Sequence, residues 1–333
     1  MKQALLNRAM LLHIGVIVLL VLLQHVLPEY HQGVIARVLV LTIYALGYNI
    51  LFGYTGLLSL GHALYFAAGM YGAGLTIVKL DWSALAGFGS GIAAAFLVAL
   101  VIGLLALRTI GVAFMIVTMM FAQAGYLTSL YFNEYTRGDE GFVVPQAARV
   151  IETPWMTLDL SAADTRYLVA VVLFGICMLI KLGVVQSGFG KVLVALRENE
   201  ERTRMLGYSP RHHKLVAFLL SGVYAGIAGA AYAILFGYAG ATFASIQYSI
   251  LPLLWVLLGG AGVVLGPLVG TLSMYYLIDF LSELTSAYLL FVGVALVALV
   301  LLAPKGILGS LRDWRRGDRT RVLRAHRFGR WLP

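Results

Sequence analysis

The chain has 333 residues, of which 61% are hydrophobic and 12% are charged, and its mean hydropathy is +0.89. Soluble domains contain about 25% charged residues, so this composition excludes a soluble globular protein and indicates a chain that folds in lipid. The net charge of +9 falls on no soluble basic domain. We therefore predict contact with anionic membrane lipid and no nucleic-acid partner.

Hydrophobic runs of about 20 residues recur along the whole chain, and a helix of that length crosses a hydrocarbon core of about 30 Å. We predict an all-α polytopic membrane protein that forms a single transmembrane domain over residues 1–333. About ten transmembrane helices are predicted, at residues 9–27, 34–52, 56–78, 84–107, 111–132, 167–186, 215–238, 245–262, 266–284 and 287–303.

The first of these runs, residues 9–27, follows Lys2 and Arg8 and has the general pattern of a secretory signal peptide. It is longer than the apolar core of a typical signal peptide, and no small-residue cleavage site follows before Pro28. We predict that this run is retained as the first span.

The second and third predicted spans carry polar residues at membrane depth, within ALGYNILFGYTGLLSLGHALYFAAGMYGAG (45–74). Gly53 and Gly56 flank Tyr54 and Thr55, and we expect them to let the backbone leave helical geometry. A membrane tolerates such backbone only where it is buried in protein or lines a cavity.

The same stretch supplies candidate residues for a translocation path. His62 is an ionisable group inside a predicted span, and such groups are functional candidates. The alternative is that His62 and Ser59 hydrogen-bond a neighbouring helix and hold the packing. The residues that we assign to the path are Tyr54, Thr55, Ser59 and His62.

The long polar segment of the chain is Ser187–Lys214, SGFGKVLVALRENEERTRMLGYSPRHHK. Glu198 and Arg202 are four residues apart, as are Glu200 and Arg204, a spacing that supports a short charged helix. Partial apolar faces come from Val192, Leu193, Leu196 and Met205.

Two residues near the end of this segment predict where its helix stops. Gly207 is placed to end the helix, and Pro210 follows shortly after it. A short polar helix between membrane spans is either a handle for a soluble partner or a solvated connector, and the charge pattern alone leaves both readings open.

Basic residues orient the chain across the membrane. With the N-terminus inside, the inner segments carry 19 of the 24 Lys and Arg residues and the outer segments carry 5. Because positive charge concentrates on the cytoplasmic side, we predict cytoplasmic N- and C-termini and a cytoplasmic 187–214 segment. The basic tail, residues 304–333, is predicted to lie at the lipid surface, and the outer loop Asn133–Arg166 is too short and irregular to form a domain.

Ten spans divide into two halves of five, and an odd number per half gives the halves opposite orientations, as in an inverted repeat. The sequence support for this 5+5 repeat is the recurrence of LFGYTG (51–56) as LFGYAG (235–240). Other glycines are spaced four apart and predict close helix packing, at Gly222, Gly226, Gly262, Gly266 and Gly270.

The sequence contains no complete motif of an enzyme active site. Gly188–Lys191 resembles a phosphate-binding loop, but Val185 stands where the first glycine belongs, and Val192 replaces the Ser or Thr that holds magnesium. Cys177 has no second cysteine for a disulfide. We predict no catalytic residue, no metal site and no directly bound cofactor.

Proton coupling is also disfavoured. A self-sufficient secondary transporter would need carboxylates buried within its spans. The acids near a span are Asp279 and Glu283, toward its outer end.

Six blocks spread over most of the chain resemble, in order, the permease subunits of branched-chain amino acid ABC importers of the LivM type. The blocks are GYTGLLSLGHALYFAAGMYGAG (53–74), TRGDEGF (136–142), SGFGKVLVALRENEERTRMLGY (187–208), KLVAFLLSGVYAGIAGAAYA (214–233), LLGGAGVVLGPLVGT (257–271) and LAPKGILG (302–309). Arg137 departs from the family pattern, which usually has a second glycine after the threonine. This departure concerns the shape of the outer loop.

The resemblance implies a multi-pass subunit of the bacterial inner membrane that pairs with a second permease. Two cytoplasmic ATPase subunits would use the ATP, and a periplasmic solute-binding protein would deliver the solute. The 187–214 segment would then be the coupling helix that docks on an ATPase, with Leu206 or Met205 as an apolar anchor. Its positions that match the family are Ala195, Arg197, Glu198, Asn199, Glu200, Arg202, Leu206 and Gly207.

The resemblance leaves the solute open, since relatives import branched-chain amino acids, urea or short amides, and in some cases aromatic acids. A different class of function is a passive channel or facilitator for a small neutral solute. A facilitator needs no polar cytoplasmic helix. Scrambling residues 197–204 should therefore leave the flux of a facilitator intact and abolish the ATP-dependent uptake of an importer.

Overall fold

A computed structural model of the protein describes residues 2–153, 156–285, 287–302 and 305–315. The helices in chain order are α1 (Lys2–Leu23), α2 (Glu29–Asn49), α3 (His62–Leu80), α4 (Ala84–Ala106), α5 (Val112–Tyr131), α6 (Asn133–Thr136), α7 (Ala163–Gln186), α8 (Gly188–Glu198), α9 (Glu200–Met205), α10 (Pro210–Phe236), α11 (Ile246–Gly259), α12 (Gly266–Leu284), α13 (Tyr288–Leu302) and α14 (Gly306–Arg315). The strands are β1 (Phe142–Val143), β2 (Val150–Thr153), β3 (Met156–Asp159) and β4 (Tyr238–Ala239).

The polytopic helical class is confirmed. Six of the described helical segments are long and apolar enough to cross a membrane: Glu29–Tyr54, His62–Leu80, Ala84–Ala106, Val112–Tyr131, Ala163–Gln186 and Pro210–Phe236. Two shorter apolar helices are Met10–Leu23 and Ile246–Gly259. A helix lies at each of the ten predicted positions, while the number of crossings, the inverted repeat and the side of each terminus stay predictions.

Helix α2 lies at the centre of the bundle. Its most apolar window is 94% buried, and Tyr44 and Tyr48 on it are fully buried. A helix that is apolar on all sides must be surrounded by protein or lipid, and α2 is surrounded by α7, α10, α11 and α12. Helix α10 contacts α2 on one side and packs against α3 and α4 on another.

Small residues bring α10 close to its neighbours, as the four-residue glycine spacing predicts. A Cβ added at Gly222 would lie 2.5 Å from the Cβ of Ala99, and one at Gly226 would overlap Ala95. A Cβ at Gly229 would overlap the carbonyl oxygen of Phe66. This interface of α10 with α3 and α4, the helix seam, therefore has no room for a methyl group, and its glycines are packing residues.

The outer loop is more ordered than the sequence indicates. Strand β1 pairs with β4 beyond the end of α10, and β2 pairs with β3 in an antiparallel hairpin. After this hairpin, the hydroxyl and backbone N–H of Ser161 donate to Asp159 at 2.6 and 2.8 Å. The hydroxyl bond, with the backbone bond second, lowers the pKa of Asp159 below its usual range. Arg137, which departs from the family pattern, has a left-handed backbone with φ of 55°, a conformation that glycine adopts more easily.

The start of the C-terminal tail packs against the bundle. Helix α14 contacts α11 and α12, and a Cβ at Gly306 would lie 2.5 Å from the backbone nitrogen of Gly260. Within the described part, this tail is therefore held by protein contacts. The prediction of a lipid-surface location for the rest of the tail falls on residues 316–333, outside the described residues.

Candidate functional site

The helix that contains Asn49 changes geometry at Ile50–Tyr54, which form a π-helical turn. The chain is then irregular until α3 begins at His62. Gly56 has a φ of 74°, in the left-handed region that favours glycine. The predicted departure from helical geometry is confirmed, and the helix predicted over 56–78 begins later because residues 56–61 form this linker.

The linker and the residue before it are tied back to α2 and the π-helical turn. The hydroxyl of Thr55 donates to the carbonyl oxygen of Leu51. The hydroxyl of Tyr48 donates to the carbonyl oxygen of Ser59 at 2.9 Å. Tyr54 and Thr55 are buried, with exposed fractions of 6% and 4%. Because the backbone is not helical at Ser59, the bond from Tyr48 satisfies a carbonyl oxygen that would otherwise be costly to bury at membrane depth.

His62 joins three helical segments. Its Nε2 lies 2.7 Å from the hydroxyl oxygen of Ser221 on α10, and its Nδ1 lies 3.1 Å from that of Ser59. The ring also makes edge contacts with Tyr48 and Tyr65, and His62 and Ser59 are fully buried. This geometry fits the interhelical hydrogen-bond reading. The translocation role of Tyr54, Thr55, Ser59 and His62 stays a prediction.

Asn49 forms a clamp between the end of α2 and the glycine-rich loop that precedes α12. Its Nδ2 donates to the carbonyl oxygen of Val263 at 2.8 Å, and its Oδ1 accepts from the backbone N–H of Gly262 at 2.9 Å. Gly262 has a φ of 77°, and a Cβ at Gly53 would lie 2.6 Å from the nitrogen of Gly262. Asn49 is one of the polar residues of the 45–74 stretch, and its contact with Gly262 and Val263 was not predicted.

Arg197 of α8 reaches the same point. Its Nη1 donates to the carbonyl oxygen of Gly53 at 2.5 Å. The left-handed Gly56 makes room for this side chain, since a Cβ there would lie 3.0 Å from Cγ of Arg197. Hydrogen bonds from a charged donor contribute more than neutral ones. The last turn of α8 is thereby attached to the π-helical turn at the end of α2.

The prediction of one short charged helix within the Ser187–Lys214 segment was wrong. Two helices, α8 and α9, meet at Asn199, whose φ of −159° and ψ of 106° are extended. Its Oδ1 accepts from the backbone N–H of Arg202 at 2.8 Å and caps α9. Glu198 and Arg202 therefore lie on different helices, and their four-residue spacing does not place them on one face. Gly207, with φ of 87°, follows the end of α9 as predicted.

The α8–α9 segment has one buried and one exposed apolar surface. Leu193 and Leu196 are buried, with exposed fractions of 1% and 5%, and attach α8 to the bundle. Met205 and Leu206 are 86% and 71% exposed. Exposed large apolar side chains beside charged ones are typical of a surface that contacts a partner.

Glu200 has an internal partner. Its Oε2 lies 2.5 Å from Nζ of Lys214, and the two side chains are 37% and 14% exposed. This ion pair attaches α9 to the first turns of α10. A role of Glu200 in contact with a partner therefore has to be separated from its role in holding α9.

Among the residues that the structure describes, no group of three or more His, Cys, Asp or Glu is placed to hold a metal ion. Cys177 is buried, and its carbonyl oxygen accepts from the hydroxyl of Tyr224 at 2.8 Å. The site therefore consists of helix breaks, hydrogen bonds and an exposed helical surface.

Comparisons with a family model and with individual proteins both point to branched-chain amino acid transport permeases. The family model described as "Branched-chain amino acid transport system / permease component" matches residues 31–303. The chain is 28% identical over 292 residues to the "High-affinity branched-chain amino acid transport system permease protein LivM" of Escherichia coli strain K12, covering 81% of this chain and 68% of the relative. The protein of the same name from Salmonella typhimurium is 27% identical over the same shares. No solved structure matches the chain.

Proposed function

The chain belongs to the family of branched-chain amino acid transport system permease components, and from this premise we propose that it is the membrane-spanning permease subunit of an ATP-driven ABC importer. Its partners in this proposal are a second permease, two cytoplasmic ATPase subunits and a periplasmic solute-binding protein. The cargo is a branched-chain amino acid, and the membrane is the bacterial inner membrane. ATP hydrolysis takes place on the partner subunits, so the chain itself is a transport subunit and no enzyme.

The observation that carries this proposal is the construction of the α8–α9 segment. It exposes Met205 and Leu206 at its tip, and Arg197 bonds it to the end of the central helix α2. A connector between two spans needs neither the exposed apolar residues nor the bond to Gly53. A segment that receives force from a soluble partner needs both.

The contacts define a short mechanical route. Closure of the ATPase pair would push α9 through the exposed anchors, and α8 would move with it. Arg197 would carry the displacement to Gly53, and the Asn49 clamp would carry it to the loop before α12. Because a broken helix changes shape at less cost than a continuous one, the π-helical turn is where α2 would yield.

The test is reconstitution with and without the ATPase subunits. The two ATPases should co-purify with the permease, and uptake of L-leucine into proteoliposomes should require ATP and the binding protein. Scrambling residues 197–204 should abolish ATP-dependent uptake while the protein stays folded. Flux through the isolated chain that survives the scrambling would instead identify a passive facilitator.

Replacing Glu200 with lysine should weaken co-purification of the ATPase subunits about two- to fivefold, in line with the loss of a partly exposed ion pair. The E200K variant places two ammonium groups together at the start of α10 and displaces α9. The double variant E200K/K214E restores the pair with its charges exchanged, and we expect it to recover most of the association. Equal loss in the single and double variants would show that Glu200 contacts the partner directly.

A further inference from the structure

A cavity of about 400 Å³ lies between α2, α10, α11 and α12, within the volume range typical of small-molecule sites. Its walls are mostly aromatic and aliphatic, with one basic and one acidic side chain. The lining residues are Arg37, Leu41, Tyr232, Phe243, Tyr248, Leu251, Trp255, Tyr275, Ile278, Asp279 and Ser282. Arg37 lies eight residues after the first residue of α2, Glu29, about 12 Å along the helix axis. In the predicted orientation this is the outer half of the membrane.

Positive charge concentrates beside this cavity. The guanidinium of Arg37 lies 5.2 Å from the ring centre of Phe236, and that of Arg166 lies 5.6 Å from the same ring. Cζ of Arg149 lies 2.8 Å from the position that a Cβ would take at Gly237. Three guanidinium groups therefore surround the outer end of α10.

Arg37 and Arg166 lack an acidic partner in the part of the chain that the structure describes, since no carboxylate there lies within 4.0 Å of either guanidinium. The described ion pair is Lys214–Glu200, on the α9 side of the bundle. The Nε atoms of Arg149 and Arg166 are buried without a hydrogen-bond partner among those residues. Clustered guanidinium groups that form no ion pair raise the local positive potential and attract an anion.

An aromatic wall and, among the described residues, one guanidinium, that of Arg37, line this cavity. Phe243 lies at the centre of this wall, with ring centres 4.8 Å from those of Tyr232 and Tyr248. Such a wall binds an apolar side chain by burying its surface. Asp279, on α12, supplies a carboxylate that forms no ion pair with Arg37 in the described residues.

We propose that this cavity is a binding site within the permease for an α-amino acid with an apolar side chain. Arg37 binds the carboxylate of the solute, which a planar guanidinium holds with two parallel hydrogen bonds. Asp279 binds the ammonium group, and the rings around Phe243 hold the side chain. Urea and short amides lack the carboxylate, so the site selects against them.

The inference rests on the proposed function, because it assigns a solute site to the import path. It also gives the permease a selectivity of its own, separate from that of the binding protein. Arg37, at the solute site, lies on α2, and Gly53, which accepts the bond from the coupling segment, lies 16 residues later in the π-helical turn that follows α2.

The test measures binding of L-leucine to the purified permease in nanodiscs by calorimetry, without ATPases or ATP. Wild type should bind L-leucine, and R37Q should bind it about 10-fold more weakly, the size expected when a charged hydrogen bond is lost. R37K keeps the charge without the planar group and should show a smaller loss. The control K79Q removes an exposed outer lysine, at the end of α3, and should bind as wild type does.

Competition on the wild type tests the chemistry without any substitution. Unlabelled 4-methylpentanoate, which keeps the carboxylate, should displace L-leucine, whereas leucinamide and urea should not. D279N should weaken L-leucine binding and leave 4-methylpentanoate binding unchanged. Displacement by leucinamide as strong as by L-leucine, or wild-type affinity in R37Q, would overturn the site.

The two proposals fail in distinguishable ways. Absence of L-leucine binding to the wild type would overturn the site, while co-purifying ATPases would still support an importer. Binding at Arg37 without any ATPase association would support the site and contradict the ABC importer. Circular dichroism and size-exclusion profiles of R37Q and R37K establish that a loss of binding is not a loss of folding.

Discussion

Replacing Arg197 with alanine is expected to lower ATP-dependent uptake about 10- to 100-fold, the range that corresponds to losing a hydrogen bond from a charged donor. The guanidinium of Arg197 is bound to the carbonyl oxygen of Gly53, and no other described side chain links α8 to this carbonyl. Without the bond, movement of α8 would not reach the π-helical turn. The measurement is uptake of L-leucine by the complete importer in proteoliposomes, together with its rate of ATP hydrolysis.

The distinctive result is that the substitution separates L-leucine uptake from ATP hydrolysis. Because the guanidinium of Arg197 is bound to Gly53, while Met205 and Leu206 are 86% and 71% exposed, the R197A complex should keep its ATPase subunits and continue to hydrolyse ATP. R197K should recover part of the uptake, since an ammonium group can still donate to the carbonyl. R108A is the matched control, because Arg108 is exposed and lies outside the α8–α9 segment. Loss of the ATPase subunits from R197A would show that Arg197 docks the partner instead.

The second large effect is expected at the helix seam, where Gly229→Ala should destabilise the permease by about 1–3 kcal/mol through overpacking. The added methyl group would overlap the carbonyl oxygen of Phe66 on α3, and neither backbone can retreat without opening the seam. The midpoint of thermal unfolding in detergent, followed by fluorescence, should fall accordingly. Uptake should fall in proportion to the folded fraction.

Gly89→Ala is the control for this substitution. Gly89 lies on α4, where an added Cβ meets no atom within 4 Å. Alanine favours a helix over glycine by up to about 1 kcal/mol, so G89A should unfold at the same temperature or higher. Equal destabilisation by both variants would contradict overpacking at the seam, because Gly89 has open space around it and alanine favours the helix there.

The helical elements were predictable because each apolar run is long and bounded by polar residues. The departure from helical geometry after Asn49 was also predictable, since Gly53 and Gly56 stand close together at membrane depth. The break at Asn199 was missed although a signal was present. An Asn followed by Glu200 and Glu201 is a typical helix start, and the four-residue charge spacing concealed it.

The contacts that define the site could not be predicted because they join distant parts of the chain. Arg197 and Gly53 are 144 residues apart, and Asn49 and Gly262 are 213 apart. The side chains that line the cavity come from α2, α10, α11, α12 and the turn at Ala241–Ala244. None of them forms a recognisable motif within its own segment, and only packing brings them together.

The position of α10 against α3 and α4 has a consequence for biosynthesis. These early helices cannot complete their packing until a segment more than 100 residues later has been made, because the seam at Gly222, Gly226 and Gly229 is supplied by α10. At about 5–20 residues per second, translation would leave them waiting for roughly 5–30 s. During that interval the exposed seam of α3 and α4 is a natural substrate for membrane insertion factors, and the two halves of the chain cannot mature as independent units.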